Sequence, residues 1–413
     1  MAAENDNDGT LSLEQCIEIV IANNPDLDMA RSDQGNREAL LQSSKKDLYP
    51  TLSAQYSYLH QPDELYTMPD LFTYGVKAEQ PLYKGKSLVT AVKQAELSVE
   101  TSKLVIDQVA NNLVFDVYTR YFALLRALRL EEEARQSVLR LESHRKDAQA
   151  FYAAGLIPKN DMLQSEVELA QGEQDLVDAE KVTALAKAQL NVLMERPVDA
   201  FLNIEESDKY TIQDISWDEV IEKARQNRAE IAQSDKAVQI AKNDIVLKKA
   251  PYLPTITLSA SYDRIGDDIG AAPVPGFPSE QKTVKAIATW KLWTWLKDRD
   301  EVHAAEKNLQ KAKKAVTKSV NDVTLDARNS FLVLEQAAKR IKVSEKAIEH
   351  AKENYRINQA QYQAQLATST DVLDAQSLLS QAMTNYYDAL YGYQLALAAI
   401  DKSKGSFGQR YSK

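Results

Sequence analysis

Glycine and proline crowd into two short windows of this chain, and that placement limits its fold more than any other feature. Residues 50–85 carry Pro50, Pro62, Pro69, Gly75, Pro81 and Gly85; residues 251–278 carry Pro251, Pro254, Gly266, Gly270, Pro273, Pro275, Gly276 and Pro278, together 14 of the chain's 24. Proline removes an amide donor and glycine costs backbone entropy, so both interrupt helices. The 69 residues between Gly85 and Gly155 and the 113 between Pro278 and Gly392 contain neither. Such stretches stay helical until something else ends them.

Their apolar residues recur every seven positions, the mark of helices packed lengthwise against neighbours. Val92, Val99, Ile106 and Leu113 form one line, joined by Leu88, Ala95 and Val109. Val302, Leu309, Val316 and Val323 form a second, and Leu334, Ile341, Ile348, Tyr355 and Tyr362 a third. Long helices are expected at 86–152 and 297–363; about 66 residues at 1.5 Å each make a rod on the order of 100 Å. Shorter helices of about 37 residues near 12–48 and 159–195, and one at 369–400, would span roughly half that length.

The windows also look like copies of one another. Tyr49-Pro50-Thr51 matches Leu253-Pro254-Thr255 and Tyr58 matches Tyr262 at an offset of 204, while Tyr152, Asp161 and Leu163 match Tyr362, Asp371 and Leu373 at 210. Two tandem units are expected, 1–210 and 211–413, each with a short helix, a strand pair (51–83 or 254–293), a long helix and a further helix.

The strands alternate. Leu52, Ala54, Tyr56 and Tyr58 take one face of the first strand, with Thr51, Ser53, Gln55 and Ser57 on the other, and Ile256, Leu258, Ala260 and Tyr262 repeat the pattern. That dyad suits a membrane β-barrel, apolar to lipid and polar to the lumen; it equally suits amphipathic hairpins over a soluble core. Trp290, Trp293 and Trp295, three of the four tryptophans, cluster where the fourth strand meets the long helix, with Tyr83 at the comparable junction. Aromatic rings of this kind gather at membrane interfaces, and also in buried corners. Four strands are too few to close a membrane barrel, and open edges in lipid are prohibitive, so a barrel here needs several copies.

Composition removes other classes. One cysteine excludes a disulfide framework and, with four scattered histidines, leaves no metal or cofactor site. His60, His144, His303 and His350 read as solvated, and Cys16 as a small core residue. A formal net charge of −10 argues against a nucleic-acid partner. No apolar run is long enough for a transmembrane helix. The opening MAAENDNDGT is polar and acidic, unlike a signal peptide, so an exported protein would be expected in its mature form. Gly85-Lys86-Ser87 resembles the end of a phosphate-binding loop, but Gln80 stands where its first glycine belongs. No nucleophile and base are paired, so no enzyme is expected.

From Leu11 to about Ile400 the chain resembles the TolC-like outer-membrane factor family. The resemblance rests on the duplication, on Gln80-Pro81-Leu82-Tyr83-Lys84-Gly85, on Phe151-Tyr152-Ala153-Ala154-Gly155-Leu156, and on Thr370-Asp371-Val372-Leu373-Asp374-Ala375. It implies a mainly α fold with a membrane β-barrel portion, a homotrimer whose twelve strands form one barrel continued by a twelve-helix α-barrel across the periplasm. It implies a passive exit duct of an efflux or type I secretion system in a Gram-negative outer membrane, joined by a periplasmic adaptor and an inner-membrane pump. A soluble coiled-coil scaffold without a pore is the alternative.

Asp371 and Asp374 sit three apart and share a helix face; the resemblance places them at the periplasmic constriction, where a trimer gathers six carboxylates that raise one another's pKa and attract cations. Asp371 is equally placed to cap its helix. Tyr362 matches a family gate position, whereas the family's basic partner is replaced by Ala367. Gly155, Leu156 and Ile157 are the implied adaptor contacts, although a turn needs its glycine in any case.

Overall fold

The computed structural model describes residues 10–61, 69–206, 210–276 and 278–411; Pro62 and the opening segment fall outside them. The elements in chain order are α1 (Leu13–Asn23), α2 (Pro25–Lys46), β1 (Thr51–His60), β2 (Asp70–Lys84), α3 (Ser87–Ala153), α4 (Lys159–Leu193), α5 (Trp217–Asn227), α6 (Ala229–Lys249), β3 (Thr255–Gly266), β4 (Glu280–Thr289), α7 (Lys297–Gln363), α8 (Ser369–Ser403) and α9 (Ser406–Tyr411). The chain is mainly helical; β1, β2 and β3 lie in the two windows rich in glycine and proline, and β4 follows the second directly. Helices α3 and α7 each run 67 residues, and α4 and α8 each run 35. Among the described residues no helix is long and apolar enough to cross a membrane.

The helix expected near 12–48 is two helices. Pro25 has no amide hydrogen to continue α1 and holds the preceding residue out of helical geometry. Asn24 is accordingly extended, and its side chain accepts from the Asp26 amide at 2.9 Å. Arg228 makes the corresponding break between α5 and α6 without a proline; its guanidinium donates to Asp326 at 2.6 Å.

Contacts divide the chain into two units, each drawing on both halves of the sequence. One comprises Arg31–Val105 and Glu230–Ser319. Its centre is an antiparallel meander in the order β1-β2-β3-β4. Leu52 pairs with Ala78, Tyr56 with Tyr74, Val76 with Tyr262 and Ala260 with Val284, so even-numbered residues of all four strands share one face. A register shift between Pro81 and Tyr83 exchanges the parity at the end of β2. Tyr83 thereby stays with the apolar residues, opposite Ile256, and Lys84 joins the polar ones opposite Thr255.

The other unit comprises Met1–Ala30, Ile106–Ala229 and Val320–Lys413. Its core gathers Ile17, Val20 and Leu27 with Val114, Leu124, Leu190 and Leu390, all fully buried. Each such side chain contributes about 1.5–3 kcal/mol relative to exposure. The heptad lines face inward as their spacing predicts, with Ile106, Leu113, Leu334 and Ile341 buried. Leu202 and Ile204 join the same cluster, tied by a parallel bridge from Leu11 to Ile204, and Phe407 of α9 stacks on Tyr118 with ring centroids 5.3 Å apart. Cys16 is fully buried there, and desolvation pushes its thiol up to about 11.

Candidate functional site

The sheet is inverted relative to that of a water-soluble domain. On the apolar face Leu52 is 74% exposed and Val284 76%, with Tyr56, Tyr58, Tyr74, Val76, Leu258 and Tyr262 also open. On the polar face Ser259 is only 4% exposed and Gly75 is buried, because the Asp263 carboxylate lies where a glycine side chain would begin. Lys77 and Glu79 pair at 2.5 Å on that face, and Ser261 donates to Asp263 at 2.8 Å. Hairpins covering a soluble core require the opposite arrangement. Beyond Tyr262 the apolar face turns charged, with Arg264 opposite Glu280. At its other end stand Tyr83 and Trp290, and the Trp290 indole donates to the Tyr252 carbonyl at 3.1 Å. Trp290, Trp293 and Trp295 are all exposed, Trp293 and Trp295 in edge contact at 6.1 Å, so no buried corner holds them.

The α3–α4 tip ends in a left-handed residue. Gly155 has φ 71°; its amide donates to Tyr152 and the Leu156 amide to Phe151, both at 2.9 Å, which closes the carbonyls of the last turn. Leu156 points outward and Ile157 is half-buried. The α7–α8 tip closes identically through Gln365 at φ 60°, with Gln365 bonded to Tyr362 at 2.9 Å and Leu366 to Gln361 at 2.8 Å. Leu366, 80% exposed, is thus the positional counterpart of Leu156; the 210-residue offset already pointed to it, although glycine alone drew attention to the first tip.

Helix α8 starts from a capping box. Thr368 accepts from the Asp371 amide at 3.2 Å, while the Asp371 carboxylate accepts from the Thr368 amide at 2.8 Å and its hydroxyl at 2.7 Å. These bonds hold the Asp371 carboxyl below its ordinary range. Asp371 and Asp374 lie together on the exposed face of α8, while Val372, Leu373, Ala375 and Gln376 are buried. A polar clasp fixes that orientation: Arg140 donates to Glu133 at 2.5 Å and to Gln376 at 2.7 Å, and Gln376 donates to Ser137 at 2.9 Å. Charge spacing along α3 gives no sign of it, because its partners come from residues some 240 positions apart.

Tyr362 is not on the acidic face. At 3% exposure it packs between His144 and Phe151, with ring centroids at 4.8 and 5.4 Å. His144, read from the sequence as solvated, is buried: its Nε2 lies 2.8 Å from the Ser369 hydroxyl at the start of α8, and desolvation lowers its pKa. A lone histidine at a heptad-like position carries no local signal for this, since its surroundings come from α7 and α8. His60, by contrast, is exposed and meets Asp70 at 2.7 Å. Among the described residues no group of three or more His, Cys, Asp or Glu is placed to hold a metal ion.

Comparison with known proteins agrees with this geometry. The chain is 22% identical over 382 residues to the outer membrane protein TolC of Vibrio cholerae, covering 89% of this chain and 84% of that protein. Its fold matches the outer membrane protein VceC of Vibrio cholerae with a TM-score of 0.83 at 19% identity, over 96% of both chains. It matches the outer-membrane channel OprN with a TM-score of 0.85 at 15% identity, over 95% of this chain and 90% of that one. The sequence profile of the outer membrane efflux proteins covers residues 16–194 and 220–406, and the chain belongs to that family.

Proposed function

We propose that this chain is one subunit of a trimeric exit duct in a Gram-negative outer membrane, conducting substrates passively outward. The observation that carries this reading is the sheet whose apolar face is open along all four strands, while burial is confined to polar-face positions of the two central strands such as Gly75 and Ser259. Left in water, its eight or so exposed large apolar side chains forgo burial on the order of 10 kcal/mol; hydrocarbon removes that deficit. Among the described residues the outer edges of β1 and β4 are unpaired in one chain, and joining β4 of one copy to β1 of the next closes twelve strands from three copies with no edge left in lipid. The helix lengths fit the same assembly: the 67-residue α3 and α7 each span on the order of 100 Å, and the 35-residue α4 and α8 about half of that. Each chain then acts as two tandem versions of one unit, 1–210 and 211–413. Trp290, Trp293, Trp295 and Tyr83 mark the periplasmic membrane interface, and the segment 196–206 with α9 forms the waist.

In this reading the tips at Gly155, Leu156 and Ile157 receive a periplasmic adaptor, and an inner-membrane pump supplies the energy. Asp371 and Asp374 face the lumen at the constriction, while Tyr362 secures α7 behind them. Three copies bring six carboxylates together, and that crowding opposes the downward shift that Thr368 gives Asp371 within one chain. No cofactor, nucleic acid or catalysis enters.

Planar-bilayer recording tests the duct and its gate together. The wild type should give stable conductance steps with cation preference, and Asp371→Asn with Asp374→Asn should lower that preference and weaken block by multivalent cations. Unchanged selectivity and block would remove both residues from the pore. A soluble scaffold predicts no conductance and a monodisperse protein without detergent.

A further inference from the structure

A cavity of about 290 Å³ opens where the strands meet the helices. Its position relative to the sheet follows from the register. Lys84 pairs with Thr255 and Thr255 with Thr289, and all three line the cavity, so it lies on the polar face. Without the shift between Pro81 and Tyr83, Lys84 would point to the apolar side. A second cation, Lys291, follows β4 at the same rim. The opposite wall is apolar and comes from the end of α6 and the turn after it, with Leu247, Pro251 and Leu253. The floor is tightly built: Gly85 passes so close to the Ala250 backbone that a side chain there would strike its carbonyl oxygen.

The charge of this cavity runs against that of the chain. Among the described residues no carboxylate lines it, although the protein carries a net charge of −10. Other lysines of this unit reach acidic partners: Lys248 and Lys297 share Glu301, and Lys236 meets Glu100. Lys84 and Lys291 have no ion-pair partner among the described residues. Two free ammonium groups and threonine hydroxyls beside a wall of leucine and proline form an amphipathic site, and its volume lies at the small end of ligand pockets. A fully hydrated inorganic anion makes no use of the apolar wall, and a cationic amphiphile meets repulsion at the rim.

We propose that this cavity binds small organic anions bearing a short apolar tail, with the acidic head between Lys84 and Lys291 and the tail against Leu247 and Leu253. The duct reading enters at one point only: it makes the polar face the lumen, so that the site is filled by anions in transit. Calorimetry on the full chain in non-ionic detergent reads the site itself, with octanesulfonate as the probe. Sulfate and octyltrimethylammonium should bind at least tenfold more weakly. Lys84→Gln with Lys291→Gln should weaken octanesulfonate at least tenfold, as should Leu253→Glu, which adds a carboxylate at an exposed position and leaves both lysines in place. Helical circular dichroism confirms that the variants fold. Equal binding of octanesulfonate to wild type and both variants, or equal binding of the cationic amphiphile, would overturn the site and identify the signal as partition into detergent. Conductance of the wild type in bilayers, measured separately, decides the duct reading, so failure of one is not mistaken for failure of the other.

Discussion

The two hairpin tips reach the same backbone shape by different chemistry. At α3–α4 the left-handed residue is Gly155, which adopts φ 71° without strain, but α4 then begins at Pro158 with no side-chain cap. At α7–α8 the left-handed residue is Gln365, which pays for its side chain in that region, yet α8 begins from the reciprocal Thr368–Asp371 cap. The pairing recurs at the strand–helix turns, where Gly85 and Lys86 lead into α3 and Trp295 and Leu296 lead into α7, all four at positive φ. In each kind the first copy has glycine at a left-handed position where the second has a side chain, Gly155 against Gln365 and Gly85 against Trp295, while Lys86 and Leu296 are left-handed alike. The difference teaches that the turn geometry is required by what it connects, since the second turns keep it at a local cost of roughly 1–2 kcal/mol per left-handed residue.

Substitutions can break that comparison, and the largest effect is expected at Gly85. Gly85→Ala meets the Ala250 backbone in addition to the left-handed penalty, and should cost about 2 kcal/mol or more in thermal unfolding. Trp295→Gly at the opposite turn should stabilise, by about 1 kcal/mol. A similar loss for Trp295→Gly would show that its indole contacts outweigh the strain. Next in size is the cap: Thr368→Ala should cost about 1 kcal/mol, whereas Pro158→Ala should leave α4 nearly unchanged because there is no side-chain cap to lose. At the tips themselves, Gly155 has open space around it, so Gly155→Ala should cost only about 0.5–1 kcal/mol once the unfolded chain's lost freedom is offset. Gln365→Gly should gain about 0.5 kcal/mol by the same reasoning. Opposite signs at the two tips are the test; equal signs would mean that neighbouring copies, not backbone conformation, set the energy there.

Acid sharpens the contrast with the smallest energies. The Asp371 carboxyl is held below its unfolded value, so its contribution is complete at neutral pH, declines as pH falls through the unfolded carboxylate value of about 4, and vanishes below the folded one. Amide-exchange protection at Val372 and Leu373 should therefore fall in that window, and it should not do so in Asp371→Asn. His144 acts earlier. Burial lowers its pKa, so the folded state resists protonation and loses stability as pH drops below about 6.5. The charged groups facing this cluster are Asp147 on α3 and Asp161 on α4, and His144→Gln should flatten the earlier step while leaving the later one.

Periodicity, strand alternation and helix breakers were enough to place the long helices to within a residue or two and the strand pairs within 51–84 and 254–293. They were enough because a seven-residue apolar line and a glycine-free run are local properties that survive any packing. The break at Asn24 was legible in Pro25, but the break at Arg228 was not, since an ion pair with Asp326 holds it. Asp371 and Asp374 were correctly placed on one face from spacing alone. The burial of His144 was not legible, because burial of a residue on α3 depends on which face a neighbouring helix covers.

What the chain determined by itself is a set of rods and alternating strands, dictated by 3.6- and 2-residue repeats and by where an amide donor or a side chain is missing. Tertiary structure decided which side of the central strands is covered. A two-residue alternation fixes that apolar and polar faces are opposite but not which of them turns inward; the strand order puts Ser259 on a central strand, where it is closed, and leaves Leu52 and Val284 open on the outer ones. The shift between Pro81 and Tyr83 likewise sends Lys84 to the polar face, and a register is a property of paired strands that no single strand contains.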